Sequence, residues 1–394
     1  MINIRSITYT LPDNFTKENF QVIDKLNLFW DSINYFVRTK RVTLPRISSV
    51  GSLGKIDSLN RFCEQVGIRW FDVPLDVKAD GKLFNFGYRL LKNYDRAFVN
   101  IICVENGMVD FRILNESLRL IKRVSQMSSN GADNFRLGLS VNVLDDCPFF
   151  PFSISSGNFG FSIALELTQE INRIAKENKR FDLNEFREKI IDIICPQLEE
   201  IEKYALDLEE KYNIRFNGFD FSLAPIIETD GSVISILKYL GVDDFSSSGT
   251  MFLTSYLTNI LKYFASKFRS VGFSGVMYSL LEDLELCQIN NKIGIRVEDM
   301  VKLSTMCGCG LDMIPISSLT DINYVRTLCL DVIGISSKLN KPLGIRILPI
   351  NDKGFSNFYT DFKDDADFIS NTKVLNIGKN NVSAKDSFKY LEIK

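Results

Sequence analysis

The chain has 394 residues, of which 45% are hydrophobic and 24% charged, and its formal net charge is −2. This charge argues against nucleic acid as the main partner, because binding phosphates requires a clustered basic excess. No apolar run is long enough to cross a bilayer, and Met1–Arg5 leads directly into a strand-like pattern. We therefore expect neither a membrane span nor a secretory signal.

Cysteine usage gives an expectation about the cellular compartment. The eight cysteines are spread over almost the whole chain and lie mostly in apolar segments, at Cys63, Cys103, Cys147, Cys195, Cys287, Cys307, Cys309 and Cys329. In a chain long enough to build a large core, this pattern is typical of reduced, buried thiols. The sequence therefore predicts a cytoplasmic protein.

The chain contains no histidine. This absence excludes Ser-His-Asp and Cys-His catalytic arrangements, and every metal site that uses an imidazole ligand. Any general acid or base must be Asp, Glu, Lys, Tyr or Cys, with a pKa adjusted by its surroundings.

Short β-branched or aromatic runs alternate with longer helical patterns along most of the chain. The predicted strands are Asn3–Thr8, Tyr35–Thr43, Ile68–Val73, Ala97–Cys103, Phe135–Val143, Phe159–Leu165, Arg215–Ser222, Ser270–Met277, Val301–Met306 and Pro342–Pro349. The predicted helices include Lys17–Ser32, Leu53–Gln65, Asp110–Met127, Leu183–Tyr212, Gly249–Phe268 and Asp321–Leu339. This alternation favours an α/β fold with about ten mostly parallel strands and outer helices, closed or nearly closed into a barrel. We expect one domain over residues 1–394, with a less regular C-terminal extension from about residue 351.

Five segments, in this order along the chain, resemble the family called domain of unknown function 711. They are Asp146–Pro151 (DCPFFP), Gly218–Pro225 (GFDFSLAP), Gly272–Met277 (GFSGVM) with Leu281–Asp283 (LED), Cys307–Pro315 (CGCGLDMIP) and Asn340–Pro349 (NKPLGIRILP). The resemblance implies the ten-stranded barrel of the pyruvate formate-lyase-like glycyl radical enzymes. It also implies a possible ACT-domain partner, since such small amino-acid-sensing proteins often accompany the family in bacteria. Glycyl radical enzymes carry a C-terminal Arg-Val-x-Gly-aromatic segment, whereas Lys373–Gly378 lacks the arginine and the aromatic residue, so no glycyl radical is expected.

The segment Phe219–Ser222 supplies the first candidate site residues. On a strand, Asp220 and Ser222 share a face. Asp220 is a candidate catalytic acid/base or metal ligand, and Ser222 a candidate ligand-binding residue. The alternative is that Asp220 caps the following turn through backbone amides.

The segment Lys341–Arg346 supplies the second candidate. Arg346 lies in an apolar strand, where an arginine is unfavourable unless it is paired or binds an anion. We expect Arg346, with Lys341 and Arg41 as companions, to hold a small anionic metabolite opposite Asp220. The alternative is a structural ion pair between Arg346 and one of the candidate acids.

Cys307–Gly310 is expected to end a strand in a small loop that leads to Asp312. By the resemblance, Cys307 is a candidate catalytic thiol, and Asp312 a candidate ligand-binding residue. The alternative is a tight structural turn made possible by the glycines. Zinc is not expected, because a single Cys-x-Cys pair lacks the partner ligands that the metal requires.

Leu281–Asp283 places two acids next to each other. Glu282 or Asp283 could join Asp220 and Asp312 around Mg²⁺ or Ca²⁺, since these cations take oxygen ligands. The alternative is a pair of solvated surface acids.

These residues leave three hypotheses about function. The first is a non-radical enzyme that acts on a small anionic metabolite inside the barrel. The second is a non-catalytic metabolite-binding or regulatory protein that works with an ACT-domain partner. The third is a structural scaffold, for example a homo-oligomer. A polar cavity inside the fold would favour the first two, whereas a filled apolar interior would favour the third.

Overall fold

The computed structural model describes residues 1–50, 53–177, 182–351, 359–362, 369–382 and 391–392. Its strands are β1 (Asn3–Thr10), β2 (Val37–Thr43), β3 (Trp70–Leu75), β4 (Ala97–Glu105), β5 (Met108–Val109), β6 (Leu137–Val141), β7 (Gly160–Glu166), β8 (Arg215–Asp220), β9 (Gly310–Ser317), β10 (Leu343–Ile350) and β11 (Leu391–Glu392). Its helices are α1 (Lys17–Ser32), α2 (Leu53–Gln65), α3 (Leu83–Asn93), α4 (Phe111–Val124), α5 (Thr168–Glu177), α6 (Leu183–Tyr212), α7 (Val233–Tyr239), α8 (Thr250–Lys267), α9 (Leu284–Lys292), α10 (Val297–Leu303) and α11 (Ile322–Leu339). Two short 3-10 helices lie at Ala132–Arg136 and Leu280–Glu282.

The described strands form one mixed sheet. Its main path runs β8-β7-β1-β2-β3-β4-β6-β10-β9, while β5 pairs with β4, and β11 with β5. Strands β1, β2, β3, β4 and β6 are parallel to one another. Strand β7 is antiparallel to β1, and β10 is antiparallel to β6. The sheet therefore consists of two parallel groups that run in opposite directions.

The segment 270–279 lies between the two ends of this path. Isolated bridges join Phe219 with Ser270 and Leu223 with Val276 on the β8 side, and Ser279 with Asp312 on the β9 side. The predicted strand Ser270–Met277 is thus irregular backbone with isolated bridges rather than a continuous strand, and Gly272 and Ser274 have positive φ values. Ladder hydrogen bonds of the named strands do not close the sheet.

Sequence patterns account for where the helices begin and how they pack. The side chain of Asp110 accepts hydrogen bonds from the backbone amides of Arg112 and Ile113, which caps the start of α4. Asp182 and Asp321 cap α6 and α11 in the same way. In α11, Val325, Leu328 and Val332 recur at helical spacing, and this stripe is buried.

A loop between β6 and β7 packs against the inside of the sheet. The Phe152 ring lies so close to β6 and β10 that a Cβ atom would stand 2.6 Å from it at Gly138 and 2.5 Å from it at Gly344. The Thr8 hydroxyl of β1 donates to the Pro148 carbonyl at 3.4 Å. This loop fills the interior with aromatic side chains.

The structure corrects one predicted strand. Val301–Met306 was expected to be extended, but Val297–Leu303 is helix α10 and the strand is Gly310–Ser317. Val297, Met300 and Val301 have the helical spacing i, i+3, i+4, and all three are buried. Consequently Cys307–Gly310 precedes a strand instead of following one, and Asp312 lies within β9.

The expected C-terminal extension is only partly described. Residues 352–358, 363–368 and 383–390 lie outside the described residues. Of the rest, Phe362 and Ile369 pack with Leu281 and Leu348 in a small apolar cluster. The single-domain assignment stays a prediction. No helix in the described ranges is both long and apolar enough to cross a membrane.

Candidate anion-binding site

One pocket combines four arginines with a wall of aromatic rings. Its cavity volume is about 60 Å³. The charged residues that line it are Arg5, Arg38, Arg41, Arg346, Glu228 and Glu282. This volume suits a few water molecules or a small organic ion rather than a nucleotide-sized ligand.

Strand directions bring these residues to one edge of the sheet. Arg5 and Arg38 lie near the amino ends of β1 and β2. The carboxyl end of β7 meets the amino end of β1, where Glu166 pairs with Asn3, and β8 is parallel to β7. Residues 225–228, which follow β8, therefore reach the same edge.

Arg346 is held by two carboxylates. Its Nε and Nη2 atoms donate to the two carboxylate oxygens of Asp312 at 2.6 and 2.9 Å, and Nη2 also donates to Glu282 at 3.3 Å. Burial by itself lowers the pKa of Arg346, but the charges of Asp312 and Glu282 outweigh it and hold the pKa above its usual value. Arg346 is thus fully engaged in a buried ion pair, the alternative that its sequence context left open.

Arg38 and Arg5 are also paired. Arg38 donates to both carboxylate oxygens of Glu166, at 2.8 and 2.6 Å, and to Glu228 at 2.6 Å. The hydrogen bonds to Glu166 are the main reason that the pKa of Arg38 is raised. Arg5 donates to the Pro225 carbonyl at 3.0 Å and lies 3.9 Å from Glu282.

Arg41 differs from the other three arginines. Within the described part of the chain it has no carboxylate within 4.0 Å, and its one side-chain hydrogen bond runs from Nε to the Thr39 hydroxyl at 3.0 Å. Its guanidinium lies 5.2 Å from the ring centroids of both Trp70 and Phe150, and the residue is 9% exposed. Burial lowers the pKa of Arg41 to about 9 with a further contribution from Arg5, and the charge of Glu282 offsets these effects only in part. Arg41 is therefore a buried cation that no carboxylate of the described residues contacts.

Aromatic side chains form the rest of the lining. They are Trp70, Phe98, Phe135, Phe149 and Phe150. The Phe98 ring contacts those of Trp70, Phe135 and Phe150 at centroid distances of 5.3–5.5 Å. Such walls lower the local dielectric constant, which strengthens the attraction between Arg41 and an anion.

Asp220 and Ser222, predicted as site residues, do not line this pocket. One oxygen of Asp220 accepts from the amide and hydroxyl of Ser222, at 3.0 and 2.5 Å, and from the Ser274 amide at 3.0 Å. Burial raises the pKa of Asp220, against these hydrogen bonds. This arrangement is the turn cap that the sequence left open as the alternative, and Arg346 faces Asp312 rather than Asp220.

Cys307 and Lys341 lie together at the opposite edge of the sheet, since β10 begins beside the carboxyl end of β6. Lys341 donates to the carbonyls of Ser304, at 2.8 Å, and of Cys307. A hydrogen bond from Cys309 is the main reason that the pKa of Cys307 is lowered to about 6, while burial opposes this shift and Lys341 supports it. Cys307 is nevertheless only 1% exposed, and neither Cys307 nor Lys341 lines the pocket.

The acids proposed as metal ligands do not converge. Glu282 is bound to Arg346, whereas Asp283 accepts from the Ser232 hydroxyl at 2.6 Å and the Val233 amide at 2.9 Å. Asp283 also caps α9. Across the described ranges, no three residues of the types His, Cys, Asp and Glu are grouped as a metal site would require. The predicted group of Glu282 or Asp283 with Asp220 and Asp312 is therefore not formed there.

Sequence reasoning missed Arg5 and Arg38. A register shift between Ile4 and Ser6 in the β1–β7 ladder displaces Arg5 from strict alternation, so the two-residue period does not predict where it points. Arg38 and Arg41 are three residues apart, which predicts opposite faces of β2. Both nevertheless line the pocket. Arg38 is the second residue of β2, and at this end of the strand its side chain is 22% exposed.

Comparisons with known proteins agree on one family. The family model described as "Uncharacterised ACR (DUF711)" matches residues 15–360. Similar proteins, each named UPF0210 protein, come from Pyrobaculum arsenaticum (22% identical, 57% of this chain and 51% of the relative), Carboxydothermus hydrogenoformans (22%, 70% and 63%) and Halothermothrix orenii (21%, 80% and 74%). The chain thus spans about half to two thirds of the length of the first two relatives. Since the family model covers most of its residues, the chain belongs to the uncharacterised DUF711 family.

Proposed function

We propose that this protein binds a small organic anion, with the guanidinium of Arg41 as the group that grips it. The observation that carries the proposal is the missing acid partner of Arg41 inside a pocket that matches every other arginine with a carboxylate. A buried cation of this kind is unfavourable in isolation, and an anionic ligand would relieve that penalty.

The charge distribution favours a ligand with one negative charge. Four guanidinium groups are accompanied by four carboxylates, because Glu166 and Glu228 bind Arg38 while Asp312 and Glu282 bind Arg346. The cluster is neutral in total, but all four carboxylates contact the other three arginines. A single carboxylate or phosphate group could accept two parallel hydrogen bonds from Arg41.

The aromatic wall favours an anion with a short apolar body. Five rings line the cavity of about 60 Å³ and offer few neutral hydrogen-bonding groups. A carboxylate with two or three carbons fits this description better than a sugar phosphate, whose hydroxyls would lack partners. The proposal covers binding and assigns no reaction. An ACT-domain partner and a homo-oligomer stay predictions.

A second part of the proposal concerns the closure of the sheet around the pocket. We propose that segment 270–279 completes a ten-stranded barrel similar to that of the glycyl radical enzymes, with the pocket at one mouth. The isolated bridges to β8 and β9 support this closure. A crystal structure with continuous ladders on both sides of the segment is the expected result, and two separate cores would contradict it.

The binding test compares two arginine variants. Propionate and inorganic phosphate are titrated against wild type, Arg41→Met and Arg46→Met at pH 7, with sodium chloride at equal ionic strength as the control. Arg46 is the matched control because it is paired with Glu105 and Asp145 outside the pocket. We expect Arg41→Met to weaken binding of at least one anion by tenfold or more and Arg46→Met to leave it unchanged. Equal binding by all three proteins would refute the proposal.

A further inference from the structure

A second ionisable group lies just inside the pocket, on β3. Trp70 lines the pocket, and Asp72 follows it on the same face of the strand, about 7 Å further along. The strand register pairs Arg41 with Trp70 and Thr43 with Asp72. Asp72 therefore lies one step deeper into the interior than Arg41.

Asp72 is buried with little support for a negative charge. One carboxylate oxygen accepts from the Ser153 amide at 3.1 Å, and the other has no hydrogen-bond partner. The nearby hydroxyls of Thr43 and Ser153 also have none. Asp72 is 0% exposed, and the cation that acts on its pKa is Arg41. An ionised carboxylate in this position is unfavourable, and holding a proton removes the penalty.

Few charged groups face Asp72. On β2 the facing cation is Arg41, and on the loop between β6 and β7 the titratable neighbour is Cys147, whose own pKa burial raises. On β4 the residues beside it, Phe98 and Asn100, do not ionise. Burial raises the pKa of Asp72 to about 8, against the backbone amides of Ser153 and Val73 and the charge of Arg41.

We propose that Asp72 takes up a proton when an anion binds to Arg41, so that binding at this site is coupled to pH. The inference rests on the proposed anion site and adds its regulation. An anion on Arg41 neutralises the cation that favours ionised Asp72, and it also repels that carboxylate. Asp72 then holds its proton more strongly, and by reciprocity protonated Asp72 favours the anion.

The coupling has a defined sign. Below pH 7 Asp72 carries its proton in both states and does not affect affinity. As the pH rises through about 8, the free protein loses this proton, and anion binding must then recover it. Kd is therefore expected to rise roughly tenfold between pH 7 and pH 9 because of Asp72 alone. Arg41, with a pKa of about 9, adds roughly a factor of two at pH 9.

The experiment measures the Kd of propionate by ligand-observed NMR titration from pH 6.5 to pH 9. Propionate is a suitable probe because it does not titrate in this range. Wild type is compared with Asp72→Asn, which keeps the shape of the side chain but cannot ionise. We expect similar affinities at pH 7, a large rise of Kd with pH for wild type, and about a twofold rise for Asp72→Asn.

The outcomes separate this inference from the site itself. If wild type at pH 7 binds neither propionate nor inorganic phosphate, the anion site is wrong, and if it binds phosphate alone, the same pH series is run with phosphate. Binding with the same pH dependence in both proteins would overturn the coupling alone. If Asp72→Asn fails to fold, the coupling is tested on wild type at pH 8.5 by infrared difference spectra recorded with and without propionate. Added propionate should then increase the carbonyl band of a protonated carboxyl group, and an unchanged band overturns the inference.

Discussion

Replacing Arg346 with methionine tests the ion pair that anchors one side of the pocket. The change leaves buried Asp312 without its bidentate partner and removes the 3.3 Å contact with Glu282. Breaking a buried pair from one side lowers stability by roughly 3–5 kcal/mol. At about 2.1 cal/mol/K of unfolding entropy per residue, 394 residues give about 1.2 °C per kcal/mol. The melting temperature should therefore fall by about 4–6 °C.

Replacing Arg41 with methionine should not lower the melting temperature. A pKa of about 9 instead of 12.5 means that the buried charge is disfavoured by roughly 5 kcal/mol at neutral pH. Methionine removes this penalty, but it also removes the contacts with Trp70 and Phe150, worth about 1–2 kcal/mol each, and the bond to Thr39, worth about 1 kcal/mol. The balance is about 0–2 kcal/mol in favour of the variant. We expect an unchanged melting temperature or a rise of up to about 2 °C.

Differential scanning calorimetry of wild type, Arg41→Met and Arg346→Met in ligand-free buffer measures both changes. Arg346→Lys serves as an intermediate case, because lysine keeps the charge but loses the bidentate geometry. A fall of 4 °C or more for Arg41→Met would show that Arg41 has a structural partner, which would remove the basis of the anion site. A change below 1 °C for Arg346→Met would refute the buried pair.

Three other measurements follow from the described geometry. Because the pKa of Asp72 is raised from 3.8 to about 8, its contribution to stability is full below pH 4 and is lost as the pH rises through about 8. In urea titrations the free energy of unfolding of wild type should therefore fall relative to that of Asp72→Asn as the pH rises from about 4 to about 8, and a difference that stays constant with pH would contradict the shift. Gly344→Ala places a Cβ atom 2.5 Å from the Phe152 ring, so it should lower stability by roughly 1–3 kcal/mol in the same assay, and a neutral effect would contradict the packing. Cys307, with its thiol 1% exposed, should react with iodoacetamide far more slowly in the native protein than in urea despite its lowered pKa of about 6, and fast native labelling would contradict its burial. Elemental analysis is expected to find no stoichiometric zinc.

Local patterns predicted much of the sheet because they report burial directly. Strands such as β1, β4 and β7 are continuous apolar or alternating runs, and their predicted bounds agree with the structure to within two residues. Segment 301–306 was wrongly predicted as a strand because a short apolar run fits a strand and a buried helix equally well. Strand β9 was missed because Gly308 and Gly310 suggested a loop that extends to Asp312. Both errors occur where residue types alone do not distinguish the periodicity of a helix from that of a strand or a loop.

Local sequence patterns do not predict which strands are neighbours in the sheet. The sequence shows that Arg346 needs a partner, but both an acid and a ligand satisfy that requirement. The acid is Asp312 on β9, the neighbour of β10, and strand order is a property of the whole fold. For the same reason Asp220 could not be assigned to its turn, since one of its donors is Ser274, 54 residues away.

Cross-strand neighbours explain why two arginines of similar appearance have different roles. In the β10–β9 ladder the register shifts between Ile345 and Ile347, which brings Arg346 beside Asp312. Arg41 has Thr8 opposite it on β1 and Trp70 opposite it on β3, so neither neighbouring strand places an acid directly opposite it. The first arrangement satisfies its guanidinium within the protein, whereas the second leaves a buried guanidinium without a contacting carboxylate, which we propose an anionic ligand supplies. The weaker of the two sequence candidates is therefore the one at which we expect the ligand.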